Sequence, residues 1–200
     1  MTDVRRAYFN GLAERWDQIP APPDACQRIE RFLDAVVEPG DERVLDAGCG
    51  TGILVPGLRA RLPGACLVEF DFAERMLGAG RLKWADPGLR WVCGDAACPP
   101  FAEGAFDLVL CFNVLPHWQD REGALAGVLG RLRAGGRLAV GHVMGSAEVT
   151  ALHSQIGGPV GADALPPAAE LSQVLSSLGA RVLRAEESPA HYLVVAARKL

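Results

Sequence analysis

No apolar run in this sequence approaches the roughly 20 residues that a membrane-crossing helix requires. No membrane span is therefore expected. Cysteine never takes the C-x-x-C spacing of a zinc or redox pair, because Cys26, Cys49, Cys66, Cys93, Cys98 and Cys111 stand apart. Several fall inside apolar runs, where cysteine acts as a small hydrophobe, and free thiols of a reducing compartment are expected. Neither sign of charge dominates. Twenty Lys and Arg against 24 Asp and Glu leave a net charge of −4, which offers a nucleic-acid backbone no basic face. The one local basic group, Arg131, Arg133 and Arg137, falls at an expected helix end and reads as a solvated terminus. Internal repeats and low-complexity linkers are also missing. The start, Met1 to Arg6, leads into a polar amphipathic segment with no apolar leader core, so a cytoplasmic protein is expected.

What is present fits one domain: 200 residues, half of them hydrophobic and 22% charged, enough for a sizeable core. Short β-rich runs alternate with helix-period segments, which points to an α/β fold of parallel strands with crossover helices. Strands are expected near 43–47, 66–70, 90–93, 106–112, 137–143, 180–186 and 191–197. Helices are expected at about 3–17, 24–37, 53–62, 73–84, 120–132, 146–156 and 167–178, with Asp24 capping the second. Phe106 to Phe112 is nearly all apolar, as in a central strand covered on both faces. The connection between the last two strands is too short for a parallel crossover and permits an antiparallel hairpin. Gly157 to Asp163 is the one long irregular stretch, and such loops often carry function.

The most specific string is Asp46-Ala47-Gly48-Cys49-Gly50-Thr51-Gly52, between a strand and a helix. Glycines free the backbone to turn tightly and approach a ligand, at a helix N-terminus outside the carboxyl end of the strand. A dinucleotide fingerprint needs G-x-G-x-x-G, but here Ile53 stands where the third glycine would be. Asp46 would repel a pyrophosphate and attract a sulfonium or an amino group. Spacing and charge both favour S-adenosylmethionine over NAD.

Val44 to Gly52 closely resembles the first motif of class I S-adenosylmethionine-dependent methyltransferases, of the type-11, small-molecule kind. Val68 to Phe72, Gly94-Asp95-Ala96, Pro100-Phe101 with Phe106 to Val109, Leu115 to His117 and Arg131 to Gly136 follow in that family's order. The resemblance covers roughly residues 40–145. It implies a Rossmann-like, seven-stranded, mostly parallel sheet with helices on both faces and an antiparallel C-terminal hairpin strand. It further implies a single domain over 1–200: a helical lid at 1–38, a cofactor core at 39–145, and substrate-side helices with the last two strands at 146–200.

Binding of S-adenosylmethionine is expected from Asp46, Gly48, Cys49, Gly50 and Gly52. Asp71, about 20 residues past the loop, is placed to accept from ribose hydroxyls, and Asp95 with Ala96 to meet adenine. Phe72, Met76 and Asn113, with Tyr8 and Trp16 from the lid, complete the set. Phe70 and Phe72 share a face by alternation, so either covers adenine or both are core. The lid segment also reads as an amphipathic helix packing Tyr8, Leu12 and Trp16.

For catalysis the candidates are His117, His142 and Asn113, all at the carboxyl edge, with His153 and Trp118 toward the acceptor. Histidine titrates near neutrality and can serve as base. No ligand pair has metal-site spacing, so no metal is expected. His191 reads as surface. The expected activity is methyl transfer to a small organic acceptor, and the other reading kept open is a non-catalytic sensor of S-adenosylmethionine or S-adenosylhomocysteine. The expected partner is that small molecule alone, in a monomer or homodimer.

Overall fold

The computed structural model describes residues 3–199, with side chains from Val4 onward. Seven strands form one sheet: β1 (Arg43–Ala47), β2 (Cys66–Asp71), β3 (Leu89–Cys93), β4 (Phe106–Phe112), β5 (Leu132–His142), β6 (Ala180–Ser188) and β7 (His191–Arg198). Their order is β3-β2-β1-β4-β5-β7-β6, with β7 antiparallel to both of its neighbours and every other pairing parallel. Every residue of β4 is buried, which is what its unbroken apolar run requires of a central strand. Only Pro189 and Ala190 separate β6 from β7, so the last pair is a hairpin.

The helices are α1 (Asp3–Leu12), α2 (Ala25–Val36), α3 (Val55–Arg61), α4 (Glu74–Lys83), α5 (Arg121–Arg131), α6 (Ser146–Ile156) and α7 (Ala168–Ser177). They cover two large apolar clusters, one on each face of the sheet. In α2 the buried residues Ile29, Phe32, Leu33 and Val36 form one stripe, the helical period expected of a surface helix. A third, small cluster of Phe9, Ala13, Ala73, Met76 and Val160 joins α1 to α4.

Four expectations need correction. The first helix does not run to residue 17: it ends at Leu12 and tightens into a 3-10 turn over Ala13–Gln18. That tighter winding brings Asp17 to the glycine loop, where its carboxylate accepts from the Thr51 hydroxyl (2.7 Å) and pairs with Lys83 (2.8 Å). Asp24 occupies the cap position of α2 but makes no capping bond, because its carboxylate pairs with Arg28 one turn on (2.8 Å). The fifth strand starts at Leu132 rather than 137, with its pairing to β4 shifting register between Phe106 and Leu108. Of the basic group, Arg133 and Arg137 lie within this strand and do not form a solvated helix end. Arg137 is largely buried against Asp41 (2.7 Å) and Arg133 holds Asp107 (2.6 Å), which tie the amino edge of the sheet together.

Candidate active site

The sheet order reverses between β1 and β4, and in open α/β sheets a crevice opens at that switch point beyond the carboxyl ends of the strands. The loop after β1 carries Gly48, Gly50 and Gly52, all at positive φ. At Gly48, with φ +84°, a Cβ would lie 2.1 Å from Val114 Cγ2, so only glycine lets the β1 and β4 loops close together. At Gly50, with φ +57°, a Cβ would meet no clash, only ordinary contact with Met76 and Trp16 at 3.6 and 3.7 Å. One loop position is thus closed by packing and the other opens on a cleft.

That cleft is lined by Gly48, Gly50, Asp71, Phe72 and Met76 from the cofactor side. Phe9 and Trp16 cover it from the N-terminal segment, and Asn113, Val114, His117 and Trp118 bound it past β4. A smaller hollow continues it past Phe70, Gly94 and Ala96. Asp95 lines a third hollow, against Trp118 and Asp120. A mostly apolar lining suits a small organic ligand.

Asp71 sits where β2 ends, and backbone bonds hold its carboxylate. Oδ2 accepts from Gly50 N–H (2.9 Å) and Oδ1 from Ala73 N–H (2.8 Å). A carboxylate has about four lone-pair sites, so acceptor capacity remains on the face toward the cleft. Burial raises its pKa, and the N–H bonds of Ala73, Gly50 and Phe72 oppose the rise. Phe70 and Phe72 part company, because β2 stops between them. Phe70 is core, edge-on to Phe101, and Phe72 reaches the cleft and meets Phe9 edge-on.

The N-terminal segment lies shut across this opening. Asn10 donates to Glu74 (2.9 Å) and accepts from Arg75 N–H (3.0 Å), which pins α1 to α4. Phe9, not Tyr8, is its buried aromatic, while Tyr8 packs edge-on against it outside the cleft lining. Three more expected cofactor residues do not line the cleft: Asp46, Cys49 and Gly52. Gly52 faces Trp91, Val55 and Trp84 instead. Asp46 is buried, and neither of its oxygens has a partner among the described residues. Its β2 neighbour in register, Glu69, is equally buried and equally unpartnered. Burial, then the nearby Asp71 charge, pushes the Asp46 carboxyl up to about 8, and burial with Asp46 beside it pushes Glu69 up as well.

Of the histidines, His117 lines the cleft from a 3-10 turn (Leu115–His117). Its Nδ1 lies 2.7 Å from Asp163 Oδ2, and Arg5 of α1 grips the same carboxylate with both terminal nitrogens, one at 2.7 Å. His153 Nδ1 donates to the Asp163 carbonyl oxygen (2.8 Å), and its ring lies 4.9 Å from that of His117. Burial lowers the His117 pKa, with the Asp163 bond opposing. Hydrogen bonds from Arg5 and His117 hold Asp163 well below its usual range against desolvation. His142 does not reach the cleft: it is buried at the end of β5 with Nε2 unpartnered, its ring edge-on to Tyr192, and burial pulls it down to about 3. Asn113, at φ +54°, lines the cleft while its Oδ1 accepts from Val143 N–H (3.1 Å), stitching β4 to β5. No group of three metal-binding side chains occurs among the described residues. No helix among them is long and apolar enough to cross a membrane.

Sequence reasoning missed Phe9, Arg5 and Asp163. Phe9 hid behind the Tyr8-Leu12-Trp16 spacing. Asp163 closes the irregular stretch that drew notice, but nothing in the sequence pairs it with Arg5, 158 positions away.

Residues 45–140 match the family model described as "Methyltransferase domain". The chain is 40% identical over 112 residues to a demethylmenaquinone methyltransferase of Thermus thermophilus, covering 55% of this chain and 51% of that one. It is 34% identical over 132 residues to a ubiquinone/menaquinone biosynthesis C-methyltransferase of Desulfotalea psychrophila, covering 64% and 54%. The matches thus span about half the length of these curated relatives. The fold matches a SAM-dependent methyltransferase from Aquifex aeolicus with a TM-score of 0.72 at 17% identity, over 96% of this chain and 97% of that one. The resemblance to class I methyltransferases and the seven-stranded fold it implies both hold.

Proposed function

We propose that this chain transfers a methyl group from S-adenosylmethionine to a small organic acceptor by in-line displacement, releasing S-adenosylhomocysteine. One observation carries the reading: the Gly50 N–H is tied to the buried Asp71 carboxylate on the wall of an aromatic-lined cleft at the switch point of the sheet. S-adenosylmethionine, when bound, supplies an electrophilic methyl carbon, so the protein must chiefly orient the acceptor and exclude water. Gly48 and Gly50 cradle the amino-acid end, Asp71 accepts from the ribose hydroxyls, and Phe72 and Met76 cover the nucleoside. Ala96 and Asp95 extend the site toward adenine.

Residues 1–38 act as the lid, with Phe9 and Trp16 shielding the reacting centre. Residues 39–145 hold the cofactor, and 146–200 complete the acceptor side of one domain. Trp118 and Phe9 suit a flat acceptor, in keeping with relatives named for quinone biosynthesis. His117 is the catalytic candidate of the three proposed from sequence. His142 lies buried outside the cleft lining, and Asn113 sets the β4 loop. The protein works in the cytoplasm on a small molecule, without nucleic acid.

Titration calorimetry with S-adenosylhomocysteine tests the cofactor, and labelled S-adenosylmethionine incubated with a small-molecule extract tests transfer. Binding that Asp71→Ala abolishes, with label moved to an organic product, is the expected result. Absence of binding overturns the reading. Binding without transfer across such extracts favours a non-catalytic sensor.

A further inference from the structure

We propose that Arg5, Asp163 and His117 form a latch that readies a general base only when the N-terminal helix is shut, for an acceptor whose methylated atom carries a proton. This rests on the methyl-transfer reading of the cleft. The geometry fixes the proton on the imidazole. An ionised carboxylate only accepts hydrogen bonds, so the 2.7 Å contact from Asp163 Oδ2 requires the hydrogen on His117 Nδ1. The neutral ring then carries its lone pair on Nε2, which no described residue engages, and the ring lines the cleft. Asp163 is nearly inaccessible, at 3% exposure, and Arg5 is 13% exposed. Helix α1 therefore supplies the cation that anchors the carboxylate.

Closure acts on the base in two ways. It removes water from the imidazole and brings Arg5 close, and both disfavour the charged ring; Asp163 opposes them, and the neighbouring His153 adds to them. From β5, His142 also faces this group. Shut, the site presents a neutral, correctly tautomerised base. Open, it would lose the anchor and regain water. In the step itself the acceptor's O–H bond breaks and its proton passes to Nε2, giving an imidazolium stabilised by Asp163. The pair left on oxygen forms the new O–CH3 bond as the S–CH3 bond breaks and its electrons return to sulfur. The proton leaves His117 to solvent when the lid opens. His117 is the catalytic residue here, and Asp163 and Arg5 are positioning residues.

The test is nitrogen NMR of the histidine rings with S-adenosylhomocysteine bound, the His117 signals being those lost in His117→Asn. At neutral pH the wild-type ring is expected to be uncharged, with a pyrrole-type Nδ1 and a pyridine-type Nε2. Asp163→Asn, whose amide can donate to Nδ1, is expected to shift the ring toward the opposite tautomer. Arg5→Ala is expected to keep the tautomer but raise the titration midpoint, since one cation is removed and water is admitted. A wild-type ring that carries hydrogen on Nε2, or is charged at neutral pH, overturns the proposal even if no variant folds. So does an Arg5→Ala midpoint that stays or falls. Binding of S-adenosylhomocysteine to the wild type is measured separately by calorimetry: its loss sinks the cofactor reading, whereas the tautomer can be read without ligand.

Discussion

Raising the pH from neutral toward 8 is expected to weaken this fold, and Glu69→Gln to remove a defined part of the loss. Asp46 and Glu69 are partners in register on adjacent parallel strands, 2% and 0% exposed, and none of their four carboxyl oxygens has a described partner. Buried without partners, both favour the protonated form, Asp46 up to about 8 and Glu69 in the same direction. In the unfolded chain the same groups ionise near ~4. The native state therefore holds protons that the unfolded state has already lost. Each such carboxyl costs about 1.4 kcal/mol of stability per pH unit, present in full below the unfolded value and lost as pH rises through the native one. Burial lowers the His117 and His142 values, so these two rings are neutral in both states above about pH 7 and add nothing in this window. The amide that Glu69→Gln introduces cannot ionise, and the slope of that variant should be shallower than that of the wild type. A buried amide with unmet hydrogen bonds costs about 1–3 kcal/mol at any pH. The two stability curves should then converge or cross as pH rises, with the wild type ahead in acid. Urea melts across the window measure both slopes. Parallel curves, or a flat wild-type curve, would refute the pairing of two protonated carboxyls under the glycine loop.

Three other outcomes follow from single contacts. Gly48→Ala places a Cβ on Val114 at positive φ, where backbone strain alone costs about 1–3 kcal/mol; chemical denaturation should show that loss together with weaker S-adenosylhomocysteine binding. Asp71→Asn keeps one acceptor for the Gly50 and Ala73 N–H groups that the carboxylate now serves, and calorimetry should show weakened cofactor affinity in a protein whose far-UV spectrum is unchanged. Arg137→Met strips the cation from the buried Asp41 and should destabilise by about 3–5 kcal/mol. Because burial already raises the Asp41 pKa against the pull of Arg137, that deficit should shrink in acid, as urea melts at low pH would show.

What could be read from the sequence divides along chain distance. The strand order and the glycine loop are local in origin. Gly48 must be glycine because of Val114, yet the G-x-G-x-G pattern shows it without knowledge of that neighbour. Asp71 was legible because its spacing from the loop is set by one α-helix and one strand. The lid was half legible: its amphipathic spacing singled out Tyr8 and Trp16, but Phe9 is the buried aromatic, and the 3-10 turn after Leu12 could not be foreseen from a regular 3.6-residue period. Asp46 shows a different failure. Its charge suggested attraction to a cationic ligand, but it lies buried and unpartnered, level with Glu69 in the β1–β2 register, which no local pattern states. His117 is the sharpest case. A histidine after the fourth strand carries no information on which nitrogen bears hydrogen. That is decided by Asp163, 46 residues on, and Asp163 is itself held by Arg5 from the other end of the chain. A site whose binding half is written in a single loop and whose proton-handling half is assembled from three distant segments can keep its cofactor while changing its acceptor, since the residues that choose the acceptor are free of the constraints that make the loop recognisable.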